Sequence, residues 1–180
     1  MTITHNYWNP PLNNTIRDKT KNLHDEVENL PFTSAMIEGK HKPHERSAWL
    51  ISQFQAFKVL DDHVPLVLKR ALILKNDIVK LPLSVPAVAS NSYARYLTNV
   101  KNPNPHIYLN YMGLLFGGQI LKKFYPTSSS VYEFDQSINE LRDMIRSNYV
   151  QDTDEYIEEV KTGFRYQIKI ASELGFRYGY

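Results

Sequence analysis

Residues 108–123 read YLNYMGLLFGGQILKK, a run with no proline, good helix formers at most positions, and three glycines within six residues: Gly113, Gly117 and Gly118. A glycine inside a helix costs about 1 kcal/mol relative to alanine. Three of them cost about 3 kcal/mol on that scale, so the composition of this helix is set by something other than helix stability. Without a Cβ, a flat ligand or another backbone can lie directly on the helix. A glycine stretch also lets a helix kink.

The rest of the chain makes the cluster stand out. Only 7 of the 180 residues are glycine, about 4% against a usual ~7%. That scarcity argues against a turn-rich β architecture. The length suits one domain with a real core, and 42% hydrophobic with 22% charged residues excludes global disorder. The absence of cysteine excludes a disulfide scaffold, a zinc–thiolate site, a thiolate-ligated haem and a cysteine nucleophile. Net charge is +2 with no long run of one sign, which argues against a nucleic-acid footprint. The uncharged stretch from Tyr111 to Leu121 is far short of the ~20 residues that span a bilayer, and MTITHNYW has no signal-peptide character. A soluble, cytoplasmic protein is expected.

Helical periodicity covers nearly the whole chain. Asn13 or Asn14 can cap a first helix whose buried stripe is Ile16, Thr20, Leu23 and Val27, with Pro31 ending it. A short helix over 33–38 closes at Gly39, and Pro43 opens a third with Trp49, Leu50, Gln53, Phe54, Phe57 and Leu60 inside. A further helix is predicted over 66–74, and residues 76–82 read as helix or extended. Ser84, Val85 and Pro86 start the next. Asn104 and Pro105 open the long helix that stops at Pro126, and another is expected over 134–148. Asp152 and Glu155 suggest a capping box for the last helix, with Tyr156, Val160, Phe164 and Ile168 inside and Gly175 at its end. The expectation is one all-α domain over 1–180, of seven or eight helices, with tails at 1–11 and 176–180.

Chemistry can sit in three places. Arg17, Lys21, His24 and Glu28 are spaced 4, 3 and 4, so they share one stripe about 16 Å long on the first helix. Glu28, one turn after His24, can orient its imidazole. The same spacing also fits a solvated polar face. The glycines of 113–118 suit either ligand contact or helix–helix contact. Lys161 and Arg165 flank the apolar row Val160, Phe164, Ile168, as anchors for anionic groups or as ordinary snorkelling residues. His5, His41, His44, His63 and His106 read as surface or packing residues. No HExxH, P-loop, GxSxG or EF-hand pattern occurs.

Together these features ask for a flat, largely apolar ligand, anionic at one edge, with an atom that accepts an imidazole. Haem has these properties. At this point TKNLHDEVE (20–28), YLNYMGLLFGGQILKK (108–123) and EEVKTGFRYQI (158–168), in that order, resemble the haem oxygenase family, over about residues 13–174. The resemblance implies an all-α domain holding haem b between a proximal helix and a glycine-kinked distal helix. It implies His24 as the iron ligand, with Glu28 bonded to it. It implies Arg17, Lys21, Lys161, Arg165 and Tyr108 near the propionates. Phe164 would be a haem contact, and Gly113, Leu114, Gly117 and Gly118 would lie against the haem face. The activity implied is opening of haem to biliverdin with release of iron and carbon monoxide. It uses O2 and electrons from an external donor such as ferredoxin or a reductase.

One position departs from the family pattern G-D-L-S-G-G-Q. Leu114 stands where an aspartate is expected, and Phe116 replaces the serine. The aspartate holds a water network over the haem face, which leucine cannot do. Asn110, one turn earlier, is the candidate to hold that water instead, and so joins His24, Gly113 and Gly117 as candidate catalytic residues. The alternatives are a haem carrier or sensor without turnover and, less favoured, a non-haem di-iron relative. A soluble monomer is expected, in cytoplasm, plastid stroma or an infected host cell.

Overall fold

In the computed structural model the main chain is described for residues 14–180 and side chains from Ile16 onward. The expected tail 1–11 and the Asn13 or Asn14 cap lie outside these. Among the described residues eight α-helices follow one another: α1 (Asn14–Asn29), α2 (Pro31–Ile37), α3 (Pro43–Leu60), α4 (Ala71–Ile78), α5 (Val88–Asn99), α6 (Asn104–Phe124), α7 (Ile138–Tyr149) and α8 (Asp154–Tyr178). No strand occurs among the described residues, so the fold is all-α.

Prolines set several boundaries as the sequence suggests. Pro31, Pro43 and Pro105 lie in the first turns of α2, α3 and α6, where a missing N–H costs nothing. Gly39 closes α2 at φ 74°, a backbone conformation that side chains rarely adopt.

Three helix starts differ from expectation, each fixed by a side-chain contact that periodicity does not show, and one ambiguous stretch is settled. The helix expected over 66–74 is a 3₁₀ turn, Leu66–Leu68, followed by α4. The Asp61 carboxylate accepts the main-chain N–H groups of Arg70 (2.9 Å) and Ala71 (2.7 Å), which fixes where α4 starts. Residues 76–78 belong to α4, which settles the ambiguous stretch as helix followed by turn. α5 starts at Val88, beyond the expected Ser84–Pro86, because Glu173 of α8 accepts the N–H groups of Val88 (2.7 Å) and Ala89 (3.0 Å). α7 starts at Ile138 and not near Phe134. Ser137 caps it by accepting from Glu140 N–H at 3.1 Å, and the Phe134 ring packs under Arg70, 4.0 Å from its guanidinium.

α8 is also longer than expected. Thr153, not Asp152, is its cap, accepting from Tyr156 N–H at 3.2 Å. The helix passes through Gly175 and ends at Gly179, φ 76°. Residues 176–180 are therefore no tail. Tyr180 donates its phenol to Glu45 (2.8 Å), and its ring stands edge-on to Phe32. At Gly175 an added Cβ would meet only ordinary contacts, so the glycine does not end the helix.

α6 is the central element. Ile107, Tyr111, Met112 and Leu115 are fully buried in a core shared with Phe57 and Leu60 of α3, Leu141 and Ile145 of α7, and Val160 of α8. Burial of each such apolar side chain stabilises by about 1.5–3 kcal/mol. Tyr111 adds a buried hydrogen bond to Asp61, tying α6 to the end of α3.

Candidate functional site

α8 supports two helices with adjacent residues. Gly163 lies against α6: a Cβ there would stand 2.5 Å from Leu109 Cδ2, 3.1 Å from His106 Nδ1 and 3.2 Å from Tyr93 Oη. The next residue, Phe164, meets α1, where its ring is edge-on to His24 with centroids 6.0 Å apart. One turn of α8 thus sets the positions of both the His24 helix and the glycine-bearing helix, and both pack along its length. A side chain at 163 would have to displace the Leu109 methyl and press on the His106–Tyr93 pair.

On α1, Ile16 and Thr20 are buried, whereas Leu23, Val27, His24 and Glu28 are only partly covered. His24 keeps 22% of its side chain exposed, with Glu28 Oε1 3.5 Å from Nε2 and Asp25 Oδ1 3.9 Å from Nδ1. Burial pushes the His24 imidazole below its ordinary range, with Asp25 opposing and Lys21 and Arg17 adding to the lowering. Its neutral form, the one that can ligate a metal, is therefore favoured. Burial also raises the Glu28 carboxyl. Lys21 forms an ion pair with Asp25 one turn on.

The three glycines of α6 separate into two kinds. An added Cβ at Gly113 or Gly117 meets nothing within 4 Å. These two are one turn apart, on one face. At Gly118 the same Cβ would stand 2.9 Å from Cγ of Tyr132, so this glycine is used for packing. It lies against Tyr132, not on the open face that the resemblance implies for it. The helix is unbroken through all three, and none has positive φ. Leu114 and Phe116 are half-buried beside the open face.

Asn110 does not serve as expected. It is 7% exposed and gives its two amide hydrogens to Tyr93 Oη (3.0 Å) and to the His106 carbonyl (2.8 Å). Its Oδ1 accepts from Gln167 at 3.0 Å. Both donors are thus committed inside the protein, and Asn110 has no hydrogen left to order water over the glycine face. The same network contains His106, which is fully buried between Tyr93 Oη and the Glu159 carboxylate, 2.8 Å from each. His106 is a packing residue as expected, with both ring nitrogens satisfied.

The basic residues divide as well. Tyr108 is buried and its phenol is pushed up to about 12 by desolvation, with the charges of Arg146 and Arg17 pulling the other way. The charges of both Arg17 and Arg146 thus act on Tyr108. Arg146, on α7, was not anticipated from the sequence, and its Nη2 is buried without a hydrogen-bond partner. In sequence it is one more arginine on an amphipathic helix, and only the tertiary fold brings it to Tyr108. Lys161 pairs with Glu158 (2.9 Å) in its own helix, and Arg165 is exposed. No contact places either beside Tyr108.

Among the described residues there is no group of three or more His, Asp or Glu side chains able to hold a metal ion, so a di-iron site finds no ligand set there. The open glycine face, a favoured neutral imidazole and an arginine–tyrosine edge do fit a flat, anionic, iron-bearing ring. No described helix is long and apolar enough to cross a membrane.

No family model matches the chain. Its sequence is 25% identical to heme oxygenase 1 of Gallus gallus over 138 residues, 62% of this chain. That match spans about half of the chicken protein, 46% of its length. Among solved structures, heme oxygenase-1 of Synechocystis sp. PCC 6803 in complex with heme superposes with a TM-score of 0.74 at 19% identity, covering 90% of this chain and 91% of that one. Heme oxygenase of Leptospira interrogans gives 0.74 at 24% identity, covering 88% and 97%. Heme oxygenase-2 of Synechocystis, in complex with heme and NO, gives 0.79 at 18% identity, covering 90% and 84%. The chain therefore has the fold of these haem oxygenases.

Proposed function

We propose that the chain binds haem b between α1 and the open face of α6 and opens it to biliverdin, with release of iron and carbon monoxide. The observation that carries this reading is the pair Gly113 and Gly117, whose side-chain space is open while their neighbour Gly118 is filled by Tyr132. Haem supplies the iron at which O2 is reduced, and it is the substrate that is consumed. Electrons come from an external donor such as ferredoxin or a reductase, and a cytoplasmic monomer is expected to suffice.

The chain's own residues supply position and exclusion. His24 provides a neutral imidazole on one side of the ring, steered by the carboxylates of Glu28 and Asp25. Arg17, Arg146 and the Tyr108 phenol hold the anionic edge. Leu114 and Phe116 keep the α6 side apolar and narrow. Together these residues would hold the ring between α1 and α6 and fix its rotation there.

A second reading is favoured by Leu114 and by the committed amide of Asn110. With leucine at 114 and the Asn110 amide committed elsewhere, neither residue donates a hydrogen bond at the glycine face, and in this reading the protein holds haem as a carrier or sensor and does not turn it over. One experiment separates the two. Haem is loaded anaerobically, and O2 and reduced ferredoxin are then added while the visible spectrum is followed. Biliverdin with stoichiometric carbon monoxide supports the oxygenase. A stable 1:1 complex without ring opening, weakened in His24→Ala, supports the carrier. No haem binding at all refutes both.

A further inference from the structure

The outer face of α4 is apolar where a surface helix ordinarily carries charge. Leu74 and Asp77 are buried. The opposite side of the helix is therefore centred on Leu72 and Val79, at i and i+7, with the exposed Lys75 and Asn76 on either flank. Both central side chains are 73% exposed. The chain continues from α4 to α5 as a strap, residues 80–87. Leu83, Val85 and Val88 stand out along it at 97%, 64% and 69% exposure. Five of the nine large hydrophobic side chains that the described residues leave exposed thus lie on this one stretch. Apolar residues exposed singly are ordinary, whereas a group of them marks an interaction surface.

The stretch has an inner and an outer side. α4 packs on α3. Ser47 of α3 donates to the Pro82 carbonyl (2.7 Å), and Ser52 of α3 accepts from the Ala87 N–H (2.9 Å). Arg177 of α8 donates to the carbonyls of Val85 (2.7 Å) and Pro86 (3.0 Å). α4, the strap and the start of α5 therefore form one layer over α3. With its main chain held at these points, the strap keeps Leu83 and Val85 in solvent.

Charge on this layer is of one sign. Its exposed charged side chains between 71 and 88 are Lys75 and Lys80. Its one carboxylate, Asp77, is fully buried, 3.5 Å from Lys80. Glu173, beside the start of α5, is committed to the N–H groups of Val88 and Ala89 and lies 3.6 Å from Arg177. Two more exposed lysines border the layer. Lys69 precedes α4, and Lys42 precedes Pro43, which shares a cavity wall with Leu81 of the strap.

We infer that this layer is a docking surface for a membrane containing anionic lipid. The leucine and valine tips enter the boundary between headgroups and acyl chains, and the lysines stay at the level of the lipid phosphates. A protein partner matches the composition less well. The centres of protein interfaces are enriched in aromatic residues, methionine and arginine and depleted in lysine, whereas these tips are all aliphatic and the charge around them is lysine. The surface is separate from the haem reading and is tested without haem.

The full haem-free chain is sedimented with vesicles of phosphatidylcholine alone and with vesicles of equal parts phosphatidylcholine and phosphatidylserine. Binding to the mixed vesicles is expected, and binding roughly tenfold weaker or less to phosphatidylcholine alone, since each lysine near an anionic surface is worth about fivefold. The double variant Leu72→Gln with Leu83→Gln keeps every charge and alters only exposed side chains. It should bind the mixed vesicles at least roughly tenfold more weakly, the weight of burying one leucine. Circular dichroism checks that it is folded. No binding to the mixed vesicles overturns the proposal, and so does equal binding to the two kinds of vesicle. Equal binding by parent and double variant also overturns it, because adsorption then follows net charge alone. Sedimentation equilibrium without lipid is run alongside. A parent dimer that the double variant turns into a monomer assigns the layer to a second copy of the chain and overturns the membrane assignment.

Discussion

Alanine substitution at adjacent glycines of α6 should move stability in opposite directions. At Gly117 a methyl group meets nothing within 4 Å. Replacing it with alanine therefore brings only the helix-propensity gain, about 1 kcal/mol. For a chain of this size that raises the melting temperature by about 2–4 °C. At Gly118 the same propensity gain applies, but the new Cβ stands 2.9 Å from Cγ of Tyr132. That ring cannot step aside cheaply, since Arg46 donates to its hydroxyl (2.8 Å) and Gln119 to its carbonyl (3.0 Å). Overpacking of this kind costs about 1–3 kcal/mol. The propensity terms cancel between the two variants, so they should differ by about that amount, with Gly117→Ala the more stable. Thermal unfolding of haem-free protein reads this directly. Haemin titration in the Soret region then supplies the second half. Gly117→Leu, also a good helix former, should weaken haem binding sharply while remaining folded. The reasoning fails if Gly117→Ala is destabilised like Gly118→Ala, or if Gly117→Leu binds haem as the parent does.

Three further outcomes are expected. Gly163→Ala should lose about 1–3 kcal/mol in urea unfolding, because its Cβ would crowd Leu109, His106 and Tyr93 together; unchanged stability would mean that α8 does not fix the spacing of α1 and α6. Stability should fall as pH drops from about 6.5 towards 4, since burial holds His41 at about 4 and lowers His106 as well. A group whose folded pKa is depressed contributes fully above its unfolded value, and the contribution shrinks between the two values, where the unfolded chain binds the proton and the fold does not. His41→Phe should flatten the profile in that window, and an identical profile would contradict the assignment. Finally, Leu114→Asp restores a hydrogen-bonding carboxylate beside the glycine face. If haem is bound but not opened by the parent, this variant should raise the biliverdin yield; a yield unchanged in both would place the block elsewhere.

Much of this architecture is legible in the sequence because prolines and helical periodicity are local signals. α6 is readable to its ends: Asn104 and Pro105 open it and Pro126 follows it. α4, α5 and α7 start two to five residues later than periodicity implies, because side-chain contacts set their first turns. Their starts are fixed by Asp61, by Glu173 and by the competition between Ser137 and the Phe134–Arg70 stack, and two of these involve contacts across the chain. The candidate site divides in the same way. His24 with Glu28 is an i, i+4 pair and is visible in one dimension. Which glycines face open space is not visible, since Gly118 owes its role to Tyr132. Nor is the membership of Arg146, nor the commitment of the Asn110 amide to Tyr93.

The cap of α5 carries a consequence for synthesis. The acceptor for the first amides of this helix is Glu173, 85 residues after Val88. At about 5–20 residues per second of translation, α5 waits roughly 4–17 seconds for the group that completes its first turn. Arg177, donating to the carbonyls of Val85 (2.7 Å) and Pro86 (3.0 Å), arrives later still. The middle of the molecule is thus finished by its last helix. Pulse-labelled hydrogen exchange during refolding should find the Val88 and Ala89 amides protected together with α8, and not with the rest of α5.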